Sequence, residues 1–245
     1  MDFLNLRRGS RAAPAATAAL AMACSTAAVG ADVVGGWEGS SGRGYAFVQP
    51  SVTLNTVDQL SWILRGSLSY LYYDFPEAGG VVTKIRSPGE SIGIAMRYSA
   101  PGLTITGGPG YEVRQTRRLK TGAETAVQER GLTLDGNVFA QVTPRTMVSL
   151  LASYGAANKY HWVRSGVKQQ VSGFGTDVTA WHVGGDATIQ GNQDVKSRQL
   201  GGVIEAAFPN GAGSLQLRAG YSHRTNPNGS SKSEPYLGIG AYRSF

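Results

Sequence analysis

The sequence predicts an all-β fold: an antiparallel, up-and-down transmembrane β-barrel of about 12 strands behind an N-terminal signal peptide. Three observations predict it. Apolar and polar residues alternate with a period of two through most of the chain beyond residue 31. Short turns and longer polar loops take turns between the alternating runs. The chain ends on Phe245, with Leu237, Ile239 and Ala241 at alternate positions upstream, like the last strand of outer-membrane barrels.

Composition removes the competing classes. The 245 residues include 34 Gly and are 41% hydrophobic but only 16% charged, against about 25% charged in an ordinary soluble domain. Disorder pairs low hydrophobicity with high charge and does not fit. One cysteine cannot form a disulfide within the chain. One Cys and three His are too few for a metal cluster, and no cofactor is predicted. The net charge of +7 is spread out, without the Lys/Arg run that binds nucleic acid.

The first segment is an address. Arg7, Arg8 and Arg11 precede an apolar run from Ala12 to Ala23, and Val29-Gly30-Ala31 resembles a small-residue cleavage site. Residues 1–31 are therefore assigned to a signal peptide and 32–245 to the barrel. Cys24 falls in the leader, where Leu20-Ala21-Met22-Ala23-Cys24 is a poor lipoprotein site because Ala21 stands where Leu is usual. The leader holds three Arg and one Asp, so its removal lowers the charge from +7 to +5.

The strands follow in order. Residues 32–38 and 44–54 read as two, split by an outer loop at Ser40–Arg43. Residues 60–73 set Leu60, Trp62, Leu64, Leu68, Tyr70 and Tyr72 against Ser61, Arg65, Ser67 and Ser69. Such a length exceeds the usual 5–6 residues of soluble strands and covers the roughly 9–11 needed to cross lipid. Weaker or stronger versions recur at 90–99, 103–116, 129–143, 146–155, 160–170, 176–190, 196–208, 214–224 and 234–245. The turns are Asn55–Gln59, Pro101-Gly102, Pro144-Arg145, Ser172–Gly175 and Pro209–Gly213. The longer loops are 74–89, 117–128, 156–159, 191–195 and 225–233. An even strand count leaves both ends periplasmic, with ten strands as the fallback if the first segment and 160–170 are misread. Lipid gives the backbone no hydrogen-bond partner, so a spanning sheet must close on itself. The competing fold is a soluble β-sandwich. The barrel reading places the protein in the outer membrane of a Gram-negative bacterium, with outer-membrane lipid and the barrel-assembly machinery as partners and Phe245 as the assembly signal.

The polar parity gathers Arg65, Arg97, Glu112, Arg114, Asp135, Arg164, Lys168, His182, Asp186, Glu205 and Arg218 toward the lumen. Either they pair and plug it, or a basic majority lines a hydrated pore for small solutes. Tyr160 and Trp162 share that parity and are candidates for stacking on sugar rings. No catalytic residue is assigned. His223-Arg224-Thr225-Asn226 followed by Glu234 faintly resembles the His-x-Ser-Asn…Glu pattern of lipid A deacylase barrels, which leaves a lipid-modifying enzyme as a third alternative. Asp177, His182 and Asp186 lack a metal spacing. Gly107-Gly108-Pro109-Gly110 has no following helix to make a phosphate loop.

The mature chain resembles the cellulose biosynthesis protein BcsS family. The cues are Gly35-Gly36-Trp37 with Tyr45 on the next strand, the long Trp62–Tyr73 strand, and Gly184-Gly185-Asp186 leading to Gly191-Asn192 and Arg198-Gln199-Leu200-Gly201. The resemblance implies a non-enzymatic outer-membrane barrel associated with cellulose production or export, with the cellulose synthase complex or a glucan chain as partner. It carries over no catalytic residues.

Overall fold

The computed structural model describes residues 30–77, 81–120, 122–171, 180–193, 195–226 and 229–245. Residues 1–29 of the expected signal peptide, Cys24 included, the turn Ser172–Gly175, the start of the strand expected at 176 and Asp177 lie outside these residues, whereas Ala31, expected to end the leader, already pairs with Val52 in the first strand.

Twelve antiparallel strands close into one barrel. They are β1 (Ala31–Ser40), β2 (Arg43–Val57), β3 (Leu60–Pro76), β4 (Val82–Ala100), β5 (Leu103–Lys120) and β6 (Ala123–Thr143), then β7 (Thr146–Gly155), β8 (Tyr160–Val171), β9 (Ala180–Gly191), β10 (Lys196–Ala207), β11 (Gly213–Thr225) and β12 (Ser231–Ser244). Each strand pairs with its sequence neighbours, and β1 closes the ring on β12 in a register that sets Asp32 opposite Ser244 and Gly39 opposite Leu237. A closed ring leaves no unpaired strand edge, which is the condition for a sheet in lipid. Two register shifts, at Thr53/Asn55 and Gln141/Thr143, both lie near the rim that carries the chain ends.

Two expected loops are strand instead. Residues 74–89 are mostly ladder, with Asp74 opposite Lys84 and Tyr72 opposite Arg86. Residues 117–128 are ladder too as far as they are described, with Arg117 opposite Ala126 and Lys120 opposite Ala123. Outside lipid both faces of a sheet meet water, so the apolar–polar contrast fades. The backbone ladder needs no such contrast and runs on. β3 to β6 are 17, 19, 18 and 21 residues long, while β7 to β10 are 10 to 12. One wall of the barrel therefore rises above the rest on the side away from the termini.

The outer surface is apolar. Leu200 and Tyr221 are each 71% exposed and Leu132 is 66% exposed, values that make sense only against lipid. Inward, small apolar groups such as Ile63, Ile85, Ala95 and Val203 are buried among polar ones. Glycine makes room for the bulkier lumenal side chains. A Cβ on Gly89 would lie 2.8 Å from Arg114 Nη2. A Cβ on Gly201 would collide with the Tyr236 hydroxyl, so this β10 glycine lets Tyr236 of β12 lie across the interior.

Candidate functional site in the lumen and at its outer mouth

Strand parity turns alternate side chains inward, and the described lumen is crossed by ion pairs at several depths. Near the outer rim Arg43 donates from Nε to Ser40 Oγ at 2.9 Å, from Nη1 to Ser197 Oγ at 3.1 Å and from Nη2 to Ser222. Its Nε also lies 3.1 Å from Glu234 Oε1, while Glu234 accepts from Ser40 at 2.8 Å and pairs with Lys232 at 3.0 Å. On the tall wall Arg114 pairs with Glu112 at 2.6 Å and donates to Ser69 Oγ and the Ser87 carbonyl.

At mid-height Arg164 pairs with Glu38 across the barrel and donates from Nε to Thr188 Oγ1 at 2.8 Å. Asp186 lies 3.9 Å from Arg164 and 3.0 Å from Arg218, and it accepts from the Tyr236 hydroxyl at 3.3 Å. Lower down Arg65 pairs with Asp135 at 3.1 Å and donates to the Gly108 carbonyl. Lys168 pairs with Glu205. Arg97 pairs with Asp32 at 3.2 Å, and the Tyr242 hydroxyl donates to the same carboxylate at 3.0 Å. Charges this buried are tolerable only when paired and hydrogen-bonded.

Of the eleven charged residues assigned to the lumen from sequence, ten sit in these pairs. The exception is His182, whose buried Nδ1 has no hydrogen-bond partner and which lies opposite Glu205 in the β9–β10 register. Asp32, Glu38, Arg43, Arg224, Glu234 and Tyr236 also face the lumen, to which sequence reading does not assign them. Asp32 and Glu38 share a parity on β1, but this glycine-rich strand lacks the apolar contrast that exposes a parity. Arg43, at the end of the expected outer loop Ser40–Arg43, is the first residue of β2.

The two aromatics expected to stack on sugar are engaged locally. The Arg164 guanidinium carbon lies 5.0 Å from the centre of the Trp162 ring, and the Tyr160 hydroxyl donates to Gln190 Oε1 at 2.7 Å. Phe245 points outward, 74% exposed, with its N–H donated to the Ala31 carbonyl at 2.8 Å and Arg243 packed over its ring.

The His223 alternative does not assemble. The β11–β12 register sets His223 opposite Ser233 and Ser222 opposite Glu234. Successive residues of a strand point to opposite faces. His223 therefore faces out, with Nδ1 3.0 Å from Ser233 Oγ, while Glu234 is buried inside against Arg43. A carboxylate on the far side of the sheet cannot orient this imidazole. Among the described residues no three His, Cys, Asp or Glu side chains converge on a metal position.

Above the paired lumen, the inner face of the tall wall and two short loops enclose a cleft of about 270 Å³. Tyr73, Thr116, Arg118 and Glu129 line it from β3, β5 and β6, and Asn158, Lys159, Asn192 and Gln193 from the loops. This lies at the lower edge of the roughly 300–1,000 Å³ of small-molecule sites. Asn158 Oδ1 accepts from the Tyr160 N–H at 3.1 Å and Asn192 Oδ1 from Val195 N–H at 3.0 Å, which fixes both loops. Lys159 sits at φ +51°, a left-handed backbone unusual for a residue with a side chain.

Comparison with known proteins places the architecture. The transport unit of the autotransporter AIDA-I from Escherichia coli superposes with a TM-score of 0.55 at 11% identity, covering 90% of this chain and 91% of that one. The KdgM porin in complex with disordered oligogalacturonate gives 0.48 at 10% identity, over 87% and 99%. LpxR from Salmonella typhimurium gives 0.49 at 11% identity, over 86% and 99%. At 11% identity the likeness to the AIDA-I transport unit is one of fold. No curated protein matches the chain. The model of the family described as cellulose biosynthesis protein BcsS matches residues 30–245, every strand of the barrel included. The chain belongs to the cellulose biosynthesis protein BcsS family.

Proposed function

We propose that this protein is a non-enzymatic outer-membrane accessory of cellulose production, a plugged barrel whose outer cleft meets the glucan chain. The observation that carries the reading is the paired lumen. Arg43–Glu234, Glu38–Arg164–Asp186–Arg218, Arg65–Asp135 and Lys168–Glu205 neutralise most of the basic side chains that an anion-selective pore would hold ready for solute. Family membership supports the link to cellulose synthesis. The cleft supports contact with sugar: it offers the Tyr73 ring, the Asn158 and Asn192 amides and charges of both signs within one pocket. Flat apolar faces beside planar hydrogen-bonding groups match the alternating character of a pyranose ring.

Two measurements test this. In planar bilayers the purified barrel is expected to give no stable open steps; regular conductance would replace the plug with a general small-solute porin. In cells, deletion is expected to change the yield or fibre form of secreted cellulose. Unchanged cellulose would remove the cellular role and leave the plugged barrel standing. For the cleft, Tyr73→Ala is expected to weaken binding of soluble cello-oligosaccharides about tenfold, while unaltered binding would move sugar contact elsewhere.

A further inference from the structure

The outward face of β10 to β12 near the outer rim carries a pattern that the paired lumen does not account for. In the register, Arg198 of β10 stands beside His223 of β11, which stands beside Ser233 of β12. Lys196 lies one outward position nearer the rim, beside Thr225. All of these side chains are exposed. Among the described residues Lys196 and Arg198 make no ion pair, in contrast to lumenal Arg43, Arg114, Arg164, Lys168 and Arg218. No described carboxylate shares their face, because Glu234 and Glu205 are turned inside against Arg43 and Lys168. The Ser233 hydroxyl, 3.0 Å from His223 Nδ1, steadies the ring and leaves Nε2 directed away from it.

The next outward row toward the membrane centre is Leu200, Tyr221 and Pro235, and the row below it is Gly202, Ala219, Leu237 and Gly39. Rows of one face are about 7 Å apart along a strand. The small side chains of that second row leave a hollow between larger ones. It is an apolar groove of about 650 Å³ bounded by Trp37, Gly39, Ala219, Tyr221, Pro235 and Leu237. Three groups able to carry positive charge thus stand on β10 and β11 at the outer, lateral edge of an apolar trough formed by β11, β12 and β1, with His223 one outward row above its Tyr221.

We propose that this face binds a phosphate-bearing lipid of the outer leaflet, with Lys196, Arg198 and His223 at the phosphate and one acyl chain in the Trp37–Tyr221–Leu237 groove. Charge complementarity selects the occupant. An unpaired cationic cluster at headgroup height attracts an anion, and the groove beside it fits a chain attached to that anion rather than a free ion. Tyr221 marks the boundary, its ring in the apolar row and its hydroxyl free to reach the headgroup layer. The site stands independently of the cellulose reading, since it needs only the barrel and its orientation.

The full barrel is reconstituted in phosphatidylcholine nanodiscs containing either diphosphoryl lipid A or the same lipid without phosphates, and native mass spectrometry reads the lipid retained. Wild type is expected to retain the phosphorylated form about tenfold better. The combined substitution Lys196→Gln, Arg198→Gln and His223→Gln is expected to erase that preference while heat-modifiable gel migration still reports a folded barrel. Tyr221→Ala is expected to lower retention of both lipids together. Equal retention of the two lipids by wild type overturns the proposal without recourse to any variant. A preference that survives the triple substitution in folded protein overturns it as well.

Discussion

Buried charge is the sharpest feature at the scale of single residues. Arg164 is held by Glu38, Thr188 and Trp162, with Asp186 at 3.9 Å, and its side chain is 8% exposed. Removing one partner of a buried pair leaves the others uncompensated and costs about 3–5 kcal/mol. Arg164→Ala is therefore expected to destabilise the barrel by about that much, read as a lower temperature for the gel-mobility shift between folded and unfolded forms. Replacing Arg164 and Glu38 together by apolar residues of similar volume is expected to recover part of the loss, although Asp186 then keeps Arg218 as its one cation beside the Tyr236 hydroxyl. His223 behaves oppositely. It is exposed, faces outward and lies apart from Glu234, so His223→Ala is expected to leave the lipid A acylation pattern unchanged by mass spectrometry and to shift stability by under about 0.5 kcal/mol. A lost acyl modification in that variant would restore the enzyme reading.

Among elements, the tall wall of β3 to β6 stands out. Its two hairpins are joined at the top, where Lys120 of β5 pairs with Glu77 just beyond β3 and the Thr83 hydroxyl of β4 donates to the other Glu77 oxygen at 2.6 Å. The hydrogen bond from Lys120, then that from Thr83, holds the Glu77 carboxyl below its ordinary range. A carboxyl with a lowered folded value contributes stability above its unfolded value, and that contribution disappears as pH falls through the folded one. Acidification below the usual carboxylate range is expected to loosen the wall's tip, measured as faster amide exchange around Glu77 and Thr83. Glu77→Gln is expected to remove the pH dependence. The wall also shows where alternation stops being informative. Residues 60–73 display it because lipid lies on one side and the lumen on the other, whereas Asp74, Lys84, Arg117 and Arg118 continue the same ladders in water. There the backbone bonds persist and the side-chain contrast that reveals them is gone.

For the whole molecule, closure and filling are separate achievements. Closure follows from β1 pairing with β12, which satisfies both edges of the sheet. Filling follows from pairs between strands far apart in sequence, such as Glu38 with Arg164 and Arg43 with Glu234. A lumen whose charges are mostly paired and held by hydrogen bonds resists hydration. Loosening it is the matching prediction at this scale: the double substitution Glu38→Gln and Glu234→Gln is expected to produce flickering conductance in bilayers where wild type gives none. Silence from a folded double variant would mean that packing by Tyr236 and its neighbours closes the lumen without the carboxylates.

The sequence by itself determined the β class, the even strand count and the parity that sends Arg65, Arg114 or Asp186 to one side and Leu132 or Leu200 to the other. It did so because lipid and lumen impose opposite demands on adjacent residues, and that demand is written at a period of two. Tertiary structure alone decided which charge meets which, that Asp32, Glu38 and Arg43 join the lumenal network, that His223 and Glu234 part company, and that a basic cluster on the lipid side sits at the edge of a groove. Those outcomes depend on the stagger between neighbouring strands and on closure of the ring, which bring together residues more than a hundred positions apart, and no local pattern carries that information.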